Sequence, residues 1–226
     1  MKAEKASCNL VWCTPDAESM IIKMARVSAP KNENNIETGP RLLRYLIKHR
    51  HWSPFEMANM CIEIHTQRDI SAQICRHRSF SFQEWSQRYA ETSQAAVPQF
   101  RRQDSRNRQN SFDDLTDEMQ YMLEDLTDKH FKSGHDLYKQ MLEEGVAKET
   151  ARRVLPMCSP TRLYMNGTLR SWIHYLDLRC DPGTQYEHRV IANKAKIIFT
   201  ETSPRFLKHS GLTNASRSRH QGSCPL

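Results

Sequence analysis

The sequence predicts an α+β fold, and three observations carry that expectation. Apolar spacing along the chain reads helix, strand, helix and then mostly helices, so strand and helix are segregated rather than regularly alternating. The strands so read are too few and too short for a doubly wound nucleotide-binding sheet, and neither GxGxxG nor GxxxxGKS/T occurs. With 226 residues, 38% hydrophobic, 7 Gly and 10 Pro, the chain has the composition of an ordered globular protein with a polar surface, not of a disordered or fibrous one.

The elements follow in order. Residues 18–28 (ESMIIKMARVS) read as a short helix. Pro40 to His49 reads as another, with Pro40 in the first turn and Leu42, Leu43, Leu46 and Ile47 as its apolar stripe. Met57 to Ile64 alternates, placing Met60, Ile62 and Ile64 on one side and Cys61 and Glu63 on the other, which predicts a strand. Arg68 to Cys75 returns to helical spacing, because Ile70 and Ile74 are four apart. Gln94 to Asn110 is polar, Arg-rich and aperiodic, a surface excursion. From Ser111 a long helix is expected, with Leu115, Met119, Met122 and Leu126 at helical intervals, Ser111 and Asp114 as a capping box, and Gly145 as the stop. Shorter helices follow from Lys148 to before Pro156, from about Leu169 to Arg179 with Asp181-Pro182-Gly183 as terminator, and from Gln185 to Thr200. The chain reads as a single domain over 1–226, with 201–226 as a loose tail.

Charge narrows the partners. Lys plus Arg is 33 against 26 Asp plus Glu, a formal +7, which points to nucleic acid, nucleotides or phosphorylated cofactors. The seven cysteines (8, 13, 61, 75, 158, 180, 224) contain no CxxC pair, so reduced thiols are expected and no metal site is suggested. No stretch approaches the roughly 20 apolar residues of a membrane helix, and Met1 to Leu10 lacks a signal-peptide core, so a cytoplasmic address is expected.

The densest chemistry lies between Arg76 and Tyr89 (RHRSFSFQEWSQRY). Successive helical residues diverge by about 100°, so Arg76, His77 and Arg78 can converge only where a helix ends. Such convergence would suit phosphate, which the planar guanidinium fork grips in bidentate fashion. Glu84 and Ser86 add an acceptor and a donor-acceptor suited to a sugar or a base edge. A solvated basic turn accounts for the same charges.

The pattern RHR-x7-S from Arg76 to Ser86, followed by Arg88-Tyr89, resembles the signature of the flavin-dependent thymidylate synthases. Further blocks in the same order resemble that family: Ala25 to Ser28 (ARVS), His51 to Glu56 (HWSPFE), Ala151 to Pro156 (ARRVLP), and Leu178-Arg179 followed by Gln185-Tyr186-Glu187. The resemblance covers roughly residues 25–190.

It implies a small, mostly antiparallel sheet packed with several helices, and a homotetramer whose subunits share active sites. It also implies FAD as cofactor, dUMP as substrate, methylenetetrahydrofolate as carbon donor and NADPH as reductant of the flavin, in a reductive methylation at uracil C5. Carried over residue by residue, Ser53, Arg76, His77, Arg78, Glu84, Thr168, Leu169, Arg170 and His174 would contact the flavin. Gln73, Ile74, Cys75, Arg76, Glu84, Trp85, Ser86, Gln87, Arg88, Arg152 and Arg179 would line the dUMP pocket, with Arg152 on the phosphate from another subunit. Arg179 would be catalytic, stabilising the N3-deprotonated uracil. That role is chemically apt, because a permanent cation near N3 and O2 stabilises an electron-rich ring. As the last cation of a helix, Arg179 also suits the helix dipole. The Asn-Ala-Arg form of some members of that family is here Thr168-Leu169-Arg170, matched at Arg170 and not at Thr168. Trp52, Trp85 and Trp172 are candidates to stack on a flavin or folate ring, or to fill core, and His51 is a candidate folate contact.

Four rivals accompany this reading. Cys75, beside Arg76, is a candidate thiolate nucleophile at uracil C6. The same fold and cofactors could hydroxymethylate dUMP. A basic nucleic-acid-binding module rests on Arg101 to Arg108 and the net charge alone, without a recognition helix or zinc spacing. A helical interaction protein with a decayed site is opposed by the intact Arg76, Arg88, Arg152 and Arg179.

Overall fold

Met60, Ile62 and Ile64, each fully buried, make the expected strand the spine of the fold, and Cys61, expected on the other side, is buried as well. In the computed structural model, which describes residues 6–32, 35 and 37–204, that strand is β2 (Asn59–Gln67). Around it in chain order stand β1 (Ser7–Cys13), α1 (Ala17–Ala25), α2 (Gly39–Lys48), α3 (Arg68–Ile74), β3 (Ser81–Glu84), β4 (Arg102–Gln103), β5 (Ser111–Phe112), α4 (Asp117–Glu143), α5 (Lys148–Ala151), β6 (Pro160–Thr168), α6 (Leu169–Arg179) and α7 (Tyr186–Thr202). Short 3-10 turns occupy Pro30–Asn32, Ser53–Glu56 and Arg152–Val154. The expected α+β fold with a small antiparallel sheet is present: β1, β2, β6 and β3 form one sheet in that order. A two-stranded antiparallel ribbon pairs Arg102 with Phe112 and Gln103 with Ser111.

Three strands that spacing did not predict complete the sheet. In β6 burial alternates residue by residue, with Thr161, Leu163, Met165 and Gly167 inward. Gly167 is needed there: a Cβ would come within 2.5 Å of the Phe80 ring. β1 lies at an edge and leaves Leu10, Val11 and Trp12 exposed, so it shows no alternation to read. β3 is a four-residue edge strand.

The polar excursion is ordered by its own side chains. Asp104 Oδ1 accepts the backbone N–H groups of Arg106 and Asn107, and Arg102 pairs with Asp114 while lying over the Phe112 ring. The capping box expected at Ser111 is not formed, because Ser111 belongs to β5. The long helix starts six residues later, with Thr116 as N-cap accepting from Met119 N at 3.3 Å. It ends as expected, with Gly145 at φ 79 just beyond the C-cap. The helix α7 runs through Thr202, two residues into the expected tail, and 205–226 lie outside the described residues.

The described chain divides into two compact units. One gathers residues within Ile64–His77 and Phe82–Tyr164; the other gathers those within Cys8–Glu63, Arg78–Ser81 and Met165–Leu226. The first buries Ile64, Ile70, Ile74, Phe131, Tyr138 and Leu163. The second buries Ile21, Leu43, Phe55, Met60, Trp172, Tyr175 and Phe199, with α6 packed on α7 and on the Ser53–Glu56 turn. Each wholly buried side chain of this size contributes about 1.5–3 kcal/mol. Two of the buried polar contacts in this second core are Trp172 Nε1 donating to Met60 O at 2.9 Å and the Tyr175 hydroxyl meeting His188 Nε2 at 3.1 Å.

The position of the cap is testable. Thr116→Ala is expected to lower unfolding free energy by about 1 kcal/mol, and Ser111→Ala by less than about 0.5 kcal/mol, in urea melts followed by circular dichroism. The reverse ranking would restore Ser111 as the cap.

Candidate active site

The helix α3 ends where the basic triplet begins. Ile70, Ser71 and Ile74 form its buried face, and the three following positions tighten into a turn, with Cys75 N bonding to Ser71 O, Arg76 N to Gln73 O and His77 N to Ile74 O. Arg76 and Arg78 are exposed and His77 is half-buried. This is the helix end that convergence of the three requires. Beyond it, within the second unit, Phe80 anchors the segment by packing edge-on against Trp172 at 4.9 Å, and Ser171 Oγ donates to Ser79 O at 3.1 Å.

In the first unit β3 delivers Glu84, and the following loop delivers Trp85 to Arg88. The ladder continues past the strand, since Trp85 N donates to Arg162 O at 2.8 Å. Ser86 turns the chain, its hydroxyl accepting from Arg88 N at 3.2 Å. Arg88 reaches Glu149 Oε2 with two nitrogens, each at 3.1 Å, and its neighbour Lys148 donates to Tyr89 O at 3.4 Å. Half-exposed ion pairs of this kind stabilise weakly, by about 0–1 kcal/mol, so Arg88 can exchange Glu149 for a stronger anion. Gln87 is buried, and among the described residues its Nε2 has no hydrogen-bond partner. Arg152 stands half-buried in the 3-10 turn after α5.

Glu84 is the most constrained of these groups. Its Oε1 accepts from Ser71 Oγ at 2.9 Å and from Thr161 Oγ1 at 2.9 Å, and Arg68 Nη1 lies 3.5 Å from it. Cys75 lies 4.0 Å from Ser71 Oγ. The single Ser71 proton goes to Glu84, so in that contact Cys75 is the donor and stays a thiol. Local burial pushes the Cys75 thiol above its ordinary value. The Glu84 charge pushes it the same way and Arg68 opposes. Reactive thiolates need the opposite balance.

In the second unit Ser53 opens the Ser53–Glu56 turn, where Glu56 pairs with Arg170. Trp52 packs edge-on against His174, with ring centroids 4.6 Å apart. Burial, with the Arg170 charge second, pushes the His174 imidazole below its ordinary value against the pull of Asp177, favouring the neutral ring. Thr168 is the N-cap of α6: it accepts from Ser171 N at 3.2 Å and lies 3.1 Å from Ser171 Oγ. Because the Ser171 proton is spent on Ser79 O, Thr168 must donate to Ser171 and has only a lone pair left for a ligand. This departs from a carboxamide, which offers both donors and acceptor. Arg179 is the last residue of α6 and half-buried.

The sequence-derived residues therefore fall into two groups. Gln73, Ile74, Cys75, Arg76, His77, Glu84 to Arg88 and Arg152 lie in one unit, and Ser53, Arg78, Thr168, Leu169, Arg170, His174 and Arg179 in the other. The side chains of Ile74 and Leu169 are wholly buried, so these two offer a ligand only backbone. Trp172 is likewise core, with its N–H satisfied, and is no stacking platform. Sequence reasoning missed Arg68, Ser71, Thr161 and Glu149. The signal for two of them was present: a serine on the Ile70/Ile74 face of α3, and a threonine in register with Leu163 and Met165. Among the described residues no cluster of three His, Cys, Asp or Glu is placed to hold a metal, and no helix is long and apolar enough to cross a membrane.

Residues 9–205 match the family model described as thymidylate synthase complementing protein. A probable flavin-dependent thymidylate synthase of Paramecium bursaria Chlorella virus 1 is 48% identical over 193 residues, 85% of this chain and 89% of the relative. A flavin-dependent thymidylate synthase of Synechocystis is 47% identical over 187 residues, 83% and 86% of the two chains. Among solved structures, a UMP/dUMP methylase from Streptomyces cacaoi bound with 5-Br UMP superposes with a TM-score of 0.82 at 25% identity, covering 96% of this chain and 98% of that one.

Proposed function

We infer that this chain, which belongs to the thymidylate synthase complementing protein family, is a flavin-dependent thymidylate synthase that methylates dUMP. The observation that carries the reading is the end of α3: Arg76, His77 and Arg78 follow directly where the helix stops, and Glu84 is fixed close in sequence beyond them.

The donor set fits a phosphate-bearing flavin. Arg78 and Arg170 supply guanidinium forks, Ser53 a hydroxyl, His174 a neutral imidazole and Trp52 an aromatic neighbour. In this reading the cofactor is FAD, and when bound it supplies the hydride that converts the transferred one-carbon unit to methyl. Methylenetetrahydrofolate as donor and NADPH as reductant complete the atom and electron balance. The chain's own residues bind and polarise. Arg88 and Arg152 take the dUMP phosphate, and Glu84, Ser86 and Gln87 offer an acceptor, a hydroxyl and an unpartnered amide donor to the nucleoside. Arg179 lies against the uracil imide and stabilises negative charge at N3 and O2, which raises electron density at C5. No protein nucleophile is required, in keeping with the raised Cys75 thiol.

Against the nucleic-acid reading, two of the four arginines in the excursion are engaged within it, Arg101 donating to Ser111 and Arg102 pairing with Asp114. The roles are tested with purified protein, FAD, NADPH, methylenetetrahydrofolate and dUMP, the product being identified by mass. The expected product is dTMP; a hydroxymethylated nucleotide, or no product with no bound flavin, would contradict the reading. Arg179→Ala should keep its flavin and lose turnover by about 10²–10³-fold, whereas Arg78→Ala should lose flavin absorbance first. Equal flavin loss in both variants, with normal turnover of reconstituted Arg179→Ala, would overturn this division of roles.

We also propose that the chain works as a homotetramer with shared active sites. Support comes from α4, where Met119, Met122 and Leu126, spaced three and four apart on one face, are 44%, 53% and 57% exposed. Light scattering should return the mass of four chains, falling in the double variant Met122→Glu/Leu126→Glu. A wild-type monomer at assay concentration would contradict the proposal.

A further inference from the structure

We propose that Arg68, Ser71 and Thr161 are positioning residues for Glu84, forming a clamp that immobilises one carboxylate oxygen so that the other is presented to the nucleotide. The inference rests on the reading of Glu84 as a ligand contact. It adds residues that neither the family signature nor the spacing of the motif singles out.

The geometry is one-sided. Both hydroxyls reach the same oxygen, Oε1, at 2.9 Å, and the Arg68 guanidinium stands 3.5 Å from it. Among the described residues no donor is assigned to Oε2, and 27% of the Glu84 side chain remains exposed. A glutamate at the last position of a four-residue edge strand would otherwise sample several rotamers, at an entropic cost on binding. Donors that select one rotamer before the ligand arrives remove that cost.

The donors are themselves held. Ser71 is wholly buried on the inner face of α3, between the turns that carry Ile70 and Ile74, and Thr161 is buried at the second position of β6. The N-terminus of α3 is tied to the approach to that strand, since Arg68 N donates to Ser159 O at 3.0 Å and Asp69 N to Met157 O at 3.1 Å. Trp85 N bonds to Arg162 O, which keeps the end of β3 in register with Thr161. All of these residues belong to the first unit. Replacing Glu84 would leave both buried hydroxyl donors to seek new partners, as expected of a coupled network.

The test is a double-mutant cycle read by calorimetric titration of flavin-loaded protein with dUMP, with melting temperature recorded for every variant. Thr161→Val and Ser71→Ala should each weaken dUMP binding about tenfold. Thr161→Ser, which keeps the hydroxyl, should bind as wild type. Glu84→Ala should bind at least as weakly as either. Adding Thr161→Val to Glu84→Ala should cost less than about twofold more, because the hydroxyl acts through a carboxylate no longer present. A full tenfold loss on that background would assign Thr161 to packing and overturn the clamp, while leaving Glu84 as a ligand contact. Unchanged binding in Glu84→Ala would instead overturn the ligand role of Glu84, and the clamp's function with it. If Thr161→Val melts too low to titrate, Arg68→Met, on a partly exposed residue, carries the same cycle with the same criteria.

Discussion

Burial of one face of α3 is the constraint on which the chemistry depends. Seven residues cannot hold a helix in water unaided, so α3 exists because Ile70 and Ile74 are removed from solvent. Once those two are buried, Ser71 between them is carried inward with them and must find an acceptor, which is Glu84. The same burial sets the helix end. After Ile74 no apolar residue continues the stripe, and Arg76 and Arg78 come off the last turn exposed, with His77 half-buried between them. Apolar packing thus produces both the basic turn and the orientation of the carboxylate that follows it.

The second unit shows the same economy with different parts. The helix α6 is fixed by Leu169, Trp172, Tyr175 and Leu176, all essentially inaccessible, and its two ends carry the residues proposed for flavin and uracil. At the start, Thr168 caps the helix and Arg170 faces Glu56; at the finish stands Arg179, just before the Asp181-Pro182-Gly183 turn. Proton counting shows what the departure at Thr168 means. The hydroxyl proton is consumed by Ser171, so Thr168 has an acceptor at most to offer a ligand.

Much of this was legible in the sequence because it follows from period. Helix α6 has the bounds its spacing predicts, β2 buries the alternate residues expected, and the helix end before Arg76 is the one that the charge cluster demands. What stayed hidden has physical causes. β1 is an edge strand with Leu10, Val11 and Trp12 all exposed, so no alternation exists to be read. β6 does alternate, yet Pro160 and Gly167 frame it with turn residues and mask it as loop. The Ser111 cap was misplaced because the two-residue strand β5 claims that serine, a pairing set by Arg102 and Asp114 across the excursion. The Glu84 clamp joins positions 68, 71, 84 and 161, a separation that no local pattern reveals.

The central claim is that packing of α3 and β6 prearranges Glu84, so that the nucleotide meets a carboxylate already set. A crystal structure of the protein with FAD and dUMP tests it most directly. The claim predicts that α3 still ends at Ile74 and that Oε1 keeps Ser71 and Thr161, while Oε2 lies within hydrogen-bond distance of the nucleotide. A ligand seated on Oε1 with both hydroxyls turned away, or a helix extended through Arg78, would contradict it.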